Sequence, residues 1–177
     1  SKTIFNDAES IIHKAGYTYL FASWGFYFND LLLDEGEYGE VIKRTQITKQ
    51  HAISSGQLID VPFENLSFGK ALMLQSVNNK SYDFSEAEHC LNQAVDGLRV
   101  SGQQDKISSG LLVRGTLFRN QKDFSKSWTD IDEAREIAEY GQMRLCLTDY
   151  HLEACRNIRD QLANEDYQII EDGETIT

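Results

Sequence analysis

The stretch GLLVRGTLFRNQKDFSKSWTDIDEAREIAEYG, from Gly110 to Gly141, decides the fold. Its first half places a small residue, Gly115, three positions before a large one, Phe118, the combination that lets two helices come close. Its second half opens on Asp123-Phe124, and positions 3, 7, 10 and 14 after the aromatic residue are Ser127, Ile131, Ala134 and Ala138. That spacing draws one apolar, small-residue stripe along a helix. The segment reads as two helices, A and B, closed by a glycine that takes the left-handed conformation of a helix end without a Cβ penalty.

The same grammar recurs along the chain. Gly16, Gly56, Gly102 and Gly141 follow one another at intervals of 40, 46 and 39 residues, the mark of a helical repeat array. Eighteen residues before Gly56 and Gly102 stand Tyr38 and Phe84, each preceded by an acidic residue. Their B stripes are Val41, Thr45, Thr48 and Ala52, then Ala87, Leu91, Ala94 and Leu98. Thirteen residues after the other three glycines stand Asn29, Gly69 and Ala154, and sixteen after them Leu32, Leu72 and Asn157. The expected architecture is an all-α, right-handed α-solenoid of antiparallel helix pairs with about eight helices. It divides into units 17–56, 57–102 and 103–141, flanked by half units 1–16 and 142–163, with an irregular or extended tail over 164–177. The long middle interval places about six extra residues at the A-to-B turn, around Gln75–Tyr82, and predicts a protruding loop or a longer helix A there.

Composition supports helices and excludes several functions. One proline in 177 residues is too few for the turns of a sandwich or barrel, and no apolar run approaches the roughly 20 residues of a membrane span. A net charge of −11 disfavours a phosphate backbone, so no nucleic acid partner is expected. Cys90, Cys146 and Cys155 show no CxxC spacing and cannot all pair within one chain, which points to a reduced compartment and the cytoplasm. A start without methionine reads as an excised fragment or a processed chain.

Units two and three resemble the tetratricopeptide repeat (TPR) family. Gly115 and Phe118 match its small and aromatic helix A positions, Phe124 its helix B aromatic, Ser127 and Ala134 its small packing positions, and Ile131 its large one. Gly69, Leu72, Phe84, Ala87, Leu91 and Ala94 match in the middle unit, whereas the first unit departs from the pattern at Asn29, Thr45 and Thr48. Periods near 40 are similar to the long-helix arrays of bacterial multidomain signalling proteins. The resemblance implies a non-enzymatic protein-protein interaction module, the scaffold or sensor arm of a larger protein, binding a peptide or helix in a concave groove lined by A helices. The groove positions it implies are Phe26, Asp30, Phe63, Leu66, Lys70, Met73, Thr116, Arg119, Asn120 and His151. The apolar ones either anchor a ligand or pack against neighbouring helices.

No catalytic residue, metal or cofactor is expected. His151 and Cys155 are an i, i+4 pair that would carry a metal-dependent or thiol enzyme, but two ligands do not make a site. A homo-oligomerisation module is the other alternative, with the truncated ends or convex face as its surface. Trp24 and Trp128 are expected to pack between helices rather than bind.

Overall fold

The computed structural model describes the backbone of residues 2–174 and the side chains of residues 2–164. The fold is all-α, and among the described residues there is no strand. The described residues form eight helices in order: α1 (Lys2–Lys14), α2 (Ala22–Asp34), α3 (Tyr38–Ser54), α4 (Val61–Asn78), α5 (Ser85–Ser101), α6 (Gln104–Asn120), α7 (Phe124–Tyr140) and α8 (Arg144–Glu174). A 3₁₀ turn, Leu58–Asp60, leads into α4. The chain divides into two compact units, Ser1–Gly102 and Gln103–Thr177.

In the first unit α4 is the central element, packed against α2, α3 and α5. Its pairing with α5 is antiparallel: Pro62 faces Gly97, Asn65 hydrogen-bonds Gln93 at 3.5 Å, and Gly69 sits under Leu91. The order of contacts with α2 is the opposite, because Phe26 meets Phe63 (ring centroids 5.8 Å apart) and Asp30 meets Lys70, so these two A helices run side by side in the same direction. Phe28, Leu32, Leu33, Val41 and Ala71 form a buried cluster, and Phe5 of α1 stacks on Phe28 at 4.8 Å. Thr45 and Thr48 occupy the buried stripe where the other B helices place Leu91 and Ala94, or Ile131 and Ala134. The Thr45 hydroxyl donates back to the Val41 carbonyl at 2.8 Å, which satisfies a polar group inside a helix face, and Thr48 Oγ1 lies 3.0 Å from the Arg44 carbonyl, one of the acceptors within reach of its single proton.

The second unit repeats the pairing. α6 and α7 are antiparallel, with Ser108 Oγ 3.2 Å from the Ala134 carbonyl and Ser127 Oγ 2.8 Å from the Gly115 carbonyl. Gly115 packs under Ile131 as Gly69 packs under Leu91. α8 adds a third layer: Asn157 Oδ1 lies 3.0 Å from Ser127 Oγ, and the Trp128 indole N–H donates to Gln161 at 3.1 Å.

Two features differ from the sequence expectation, at Gly141 and in the tail, and a third decides between the alternatives expected for the middle insertion. Gly16, Gly56 and Gly102 take left-handed φ values of +89°, +74° and +70°, but Gly141 sits at −80° and its neighbour Gln142 takes the left-handed position at +52°. The conformational interval from Gly102 is therefore 40 residues, and the apparent 39 arises because Gly141 stands one place too early. The middle insertion is split. α4 ends 22 residues after Gly56, against 18 after Gly16 for α2 and 18 after Gly102 for α6, and the segment before the aromatic anchor grows from three residues (121–123) to five (79–83). Four extra residues thus extend helix A and two extend the turn. Finally, the tail expected to be irregular from 164 continues α8 to Glu174. No glycine or proline interrupts Ala163–Asp172, and an established helix extends by one bond per added residue, so nothing stops it. Residues 175–177 of that tail lie outside the described residues.

Candidate functional site

The helix A positions divide by chemistry. Phe26, Phe63, Leu66 and Met73 are buried, so they are core residues and not open groove anchors. The reason is the central place of α4, whose residues 62–67 are buried without interruption because neighbours cover it on several sides. The polar positions are exposed enough to meet solvent, and they meet each other. Lys70 Nζ donates to Asp30 at 2.7 Å within the first unit. In the second, Arg119 Nε donates to buried Glu153 at 2.7 Å, and its Nη1 pairs with Asp160. Thr116 and Asn120 satisfy their donors locally, on the Leu112 and Thr116 carbonyls. His151 is exposed beside the Tyr150 ring, and Cys155 is exposed as well. Among the described residues no three His, Cys, Asp or Glu side chains converge as metal ligands. The two buried or half-buried thiols that show a shift, Cys90 and Cys146, are both pushed up by burial, which favours the unreactive thiol form.

Two features were not visible as sites in the sequence. The first is an aromatic ridge on α2. Trp24 is 70% exposed and Tyr27, three residues on, is 49% exposed, which corrects the expectation that Trp24 packs between helices. Gly25 and Phe26 are the side that turns inward, where the Gly25 Cα faces the Leu20 backbone, and the ridge is what remains outside. Trp128, by contrast, is half-buried as expected.

The second is a pocket of about 170 Å³ in the first unit. Its walls are Gly16, Tyr17, Thr18, Tyr19 and Phe21 from the segment between α1 and α2, and Ile47, Thr48 and His51 from α3. Tyr17, Phe21 and His51 pack as a three-ring group, with centroids 5.0 to 5.7 Å apart. A buried ion pair holds the wall in place. Glu9 of α1 accepts from the Leu20 backbone N–H at 2.8 Å and takes both terminal nitrogens of the Arg44 guanidinium, at 3.1 and 2.5 Å. Arg44 also donates to Asn29 and lies 4.5 Å from the centroids of both Tyr19 and Phe28. Such a pair is satisfied on every side, which is the condition for a buried charge to persist. His13 Nε2 lies 2.5 Å from the Thr18 carbonyl, and Lys43 hydrogen-bonds Tyr19, which raises the lysine pKa. Behind the pocket, Thr48 donates to the buried carboxylate of Glu64 at 2.6 Å.

A signal for this pocket does exist in the sequence. Residues 10–29 and 41–59 contain no Asp or Glu although the whole chain carries 28, and these two bare segments supply all its walls. Comparison of the chain with protein-family models, with curated proteins and with solved structures finds no match.

Proposed function

We propose that the chain is a protein-protein interaction module, the scaffold or sensor arm of a larger cytoplasmic signalling protein of bacteria, binding a peptide or helix rather than catalysing a reaction. The observation that carries this reading is the exposure of Trp24 and Tyr27 on one face of α2. Large aromatic groups held in water by a rigid helix are the residues that dominate binding energy at protein interfaces. The resemblance of the repeats to TPR units supports the class. The ion-paired positions Lys70 and Arg119 are secondary contacts, because each already holds carboxylates, Asp30, or Glu153 and Asp160, with which a ligand must share the cation.

The test is selection of binding peptides from a displayed random library, followed by counter-selection on Trp24→Ala and Tyr27→Ala. Peptides that lose at least about tenfold in affinity on these variants support the reading, since truncating an anchoring aromatic residue removes 2 kcal/mol or more, roughly. A library that yields only binders indifferent to both substitutions rejects it.

One observation favours a second reading, a homo-oligomer. Leu145, Leu152, Ile158 and Leu162 are exposed along α8. Light scattering across a concentration range decides, and a constant monomer mass removes this reading.

A further inference from the structure

We infer that the pocket between the 16–21 segment and α3 seats a single aromatic side chain presented by an acidic peptide segment of a partner protein. The inference rests on the interaction-module reading and names a particular contact within it. Size is the first argument: a cavity of about 150 Å³ holds a benzene ring, and this one is about 170 Å³ with an open mouth. Its lining is the second. Phe21, Tyr17 and Ile47 offer apolar surface, and the Tyr17–Phe21–His51 group gives an entering ring the edge and face partners that aromatic pairs prefer.

Charge selects the flanks of the ligand. The chain as a whole is strongly acidic, and a cationic peptide would be drawn to many places on it. The pocket is the exception, because the segments that build it carry no carboxylate. Glu9 is neutralised by Arg44, Glu64 lies buried behind Thr48, and Glu40, on the first turn of α3, lies 3.9 Å from Arg44 and also faces Lys43, so two cations flank that partly exposed carboxylate. Exposed Lys43 hydrogen-bonds the wall residue Tyr19, and exposed Lys14 precedes the wall residue Gly16 by two positions. An acidic flank is attracted here and repelled over most of the remaining surface, so the same charge that speeds encounter also gives the register.

The wall is also preorganised. Glu9, Arg44 and the His13 contact fix the 16–21 segment before any ligand arrives, which spares the ordering cost that weakens binding to loose loops.

Fluorescence anisotropy with the purified chain tests this. The probes are three labelled peptides of about a dozen residues: one of Glu, Asp, Ser and Ala with a single central Phe, the same with Ala replacing the Phe, and the Phe peptide with Lys replacing every acid. The expected result is that the acidic Phe peptide binds at least about tenfold more tightly than either of the others. Ile47→Glu abolishes this preference, Lys43→Glu weakens it and flattens its salt dependence, and Ile53→Glu, an exposed position of α3 outside the pocket, leaves it unchanged. Thr18→Trp fills the cavity from the exposed segment and abolishes the preference without touching the α3 helix, which guards against misfolding of Ile47→Glu. Equal binding of the three peptides, or Ile47→Glu and Thr18→Trp behaving like Ile53→Glu, overturns the inference. Library peptides that depend on Trp24 but bind Thr18→Trp normally reject the pocket while keeping the interaction module. A wild-type chain that enriches no peptide rejects both.

Discussion

The Thr48 hydroxyl of α3 stands 2.6 Å from the carboxylate of Glu64 on α4, and both residues are buried. Burial pushes the Glu64 carboxyl up to about 7; the Thr48 bond opposes that shift, Asp60 adds to it, and Arg44 opposes it. Since the unfolded chain releases this proton near 4.5, the folded state holds more protons between 4.5 and about 7. Stability therefore falls as pH rises through that window. The loss is absent below it and complete above it, at about 3 kcal/mol. Glu64→Gln keeps the shape and removes the titration. Thermal melts at pH 5 and pH 8 should show the wild type losing stability and the variant much less; equal losses would refute the assignment.

The repeated glycine-under-aliphatic contact is tighter in one unit than in the other. A methyl on Gly69 would lie 2.8 Å from Leu91 Cγ and 3.2 Å from the Ala87 carbonyl, whereas one on Gly115 would lie 3.2 Å from Ile131 Cγ1 and 3.4 Å from the Ser127 carbonyl. Gly69→Ala is expected to cost about 1–3 kcal/mol of overpacking. At Gly115 the smaller displacement is offset by the roughly 1 kcal/mol that alanine gains over glycine inside a helix, so that variant stays close to wild type. Urea denaturation of both variants ranks them. A reversed order would mean that the α4–α5 contact yields more easily than its geometry allows.

Arg44→Met strands the Glu9 carboxylate in a buried site. Breaking a buried pair from one side costs about 3–5 kcal/mol, while replacing both partners with uncharged groups is often near neutral. The double variant Glu9→Gln, Arg44→Met is thus expected to be more stable than Arg44→Met alone. Denaturation midpoints measured on all members of the cycle test this coupling, and additive effects would remove it.

Gln142 holds a left-handed φ of +52° that a residue with a Cβ adopts at a cost. Gln142→Gly should stabilise the second unit, by roughly 1 kcal/mol from the strain relieved less the chain entropy that glycine adds. The change is read as a rise in melting temperature. A fall would show that the glutamine side chain contributes more than its backbone strain removes.

Much of the fold was legible because helix packing writes it locally. Ser127, Ile131, Ala134 and Ala138 sit at spacings that only one helix face explains, and all four are buried. Gly69 and Gly115 are small because Leu91 and Ile131 press on them. What escaped the sequence was set by long-range geometry. Phe63, Leu66 and Met73 have the same chemistry whether they face a groove or a neighbouring helix, and only the central position of α4 decides between the two. Arg119 looked like a free reader because its partners, Glu153 and Asp160, are 34 and 41 residues away. The two carboxylate-free segments mark the pocket's walls in the sequence, but that they come together depends on Glu9 meeting Arg44 across 35 residues, and no local pattern announces such a meeting.

The pair of Asp30 and Lys70 joins equivalent faces of successive A helices, so this surface carries its own competitor. An anionic group that reaches Lys70 shares the ammonium's donors with a carboxylate already in place and sits beside Asp30, a like charge. Net affinity is then attraction to Lys70 less repulsion from Asp30, which makes the face reject weakly charged intruders and discriminate among ligands by how well they also accommodate the neighbouring acid.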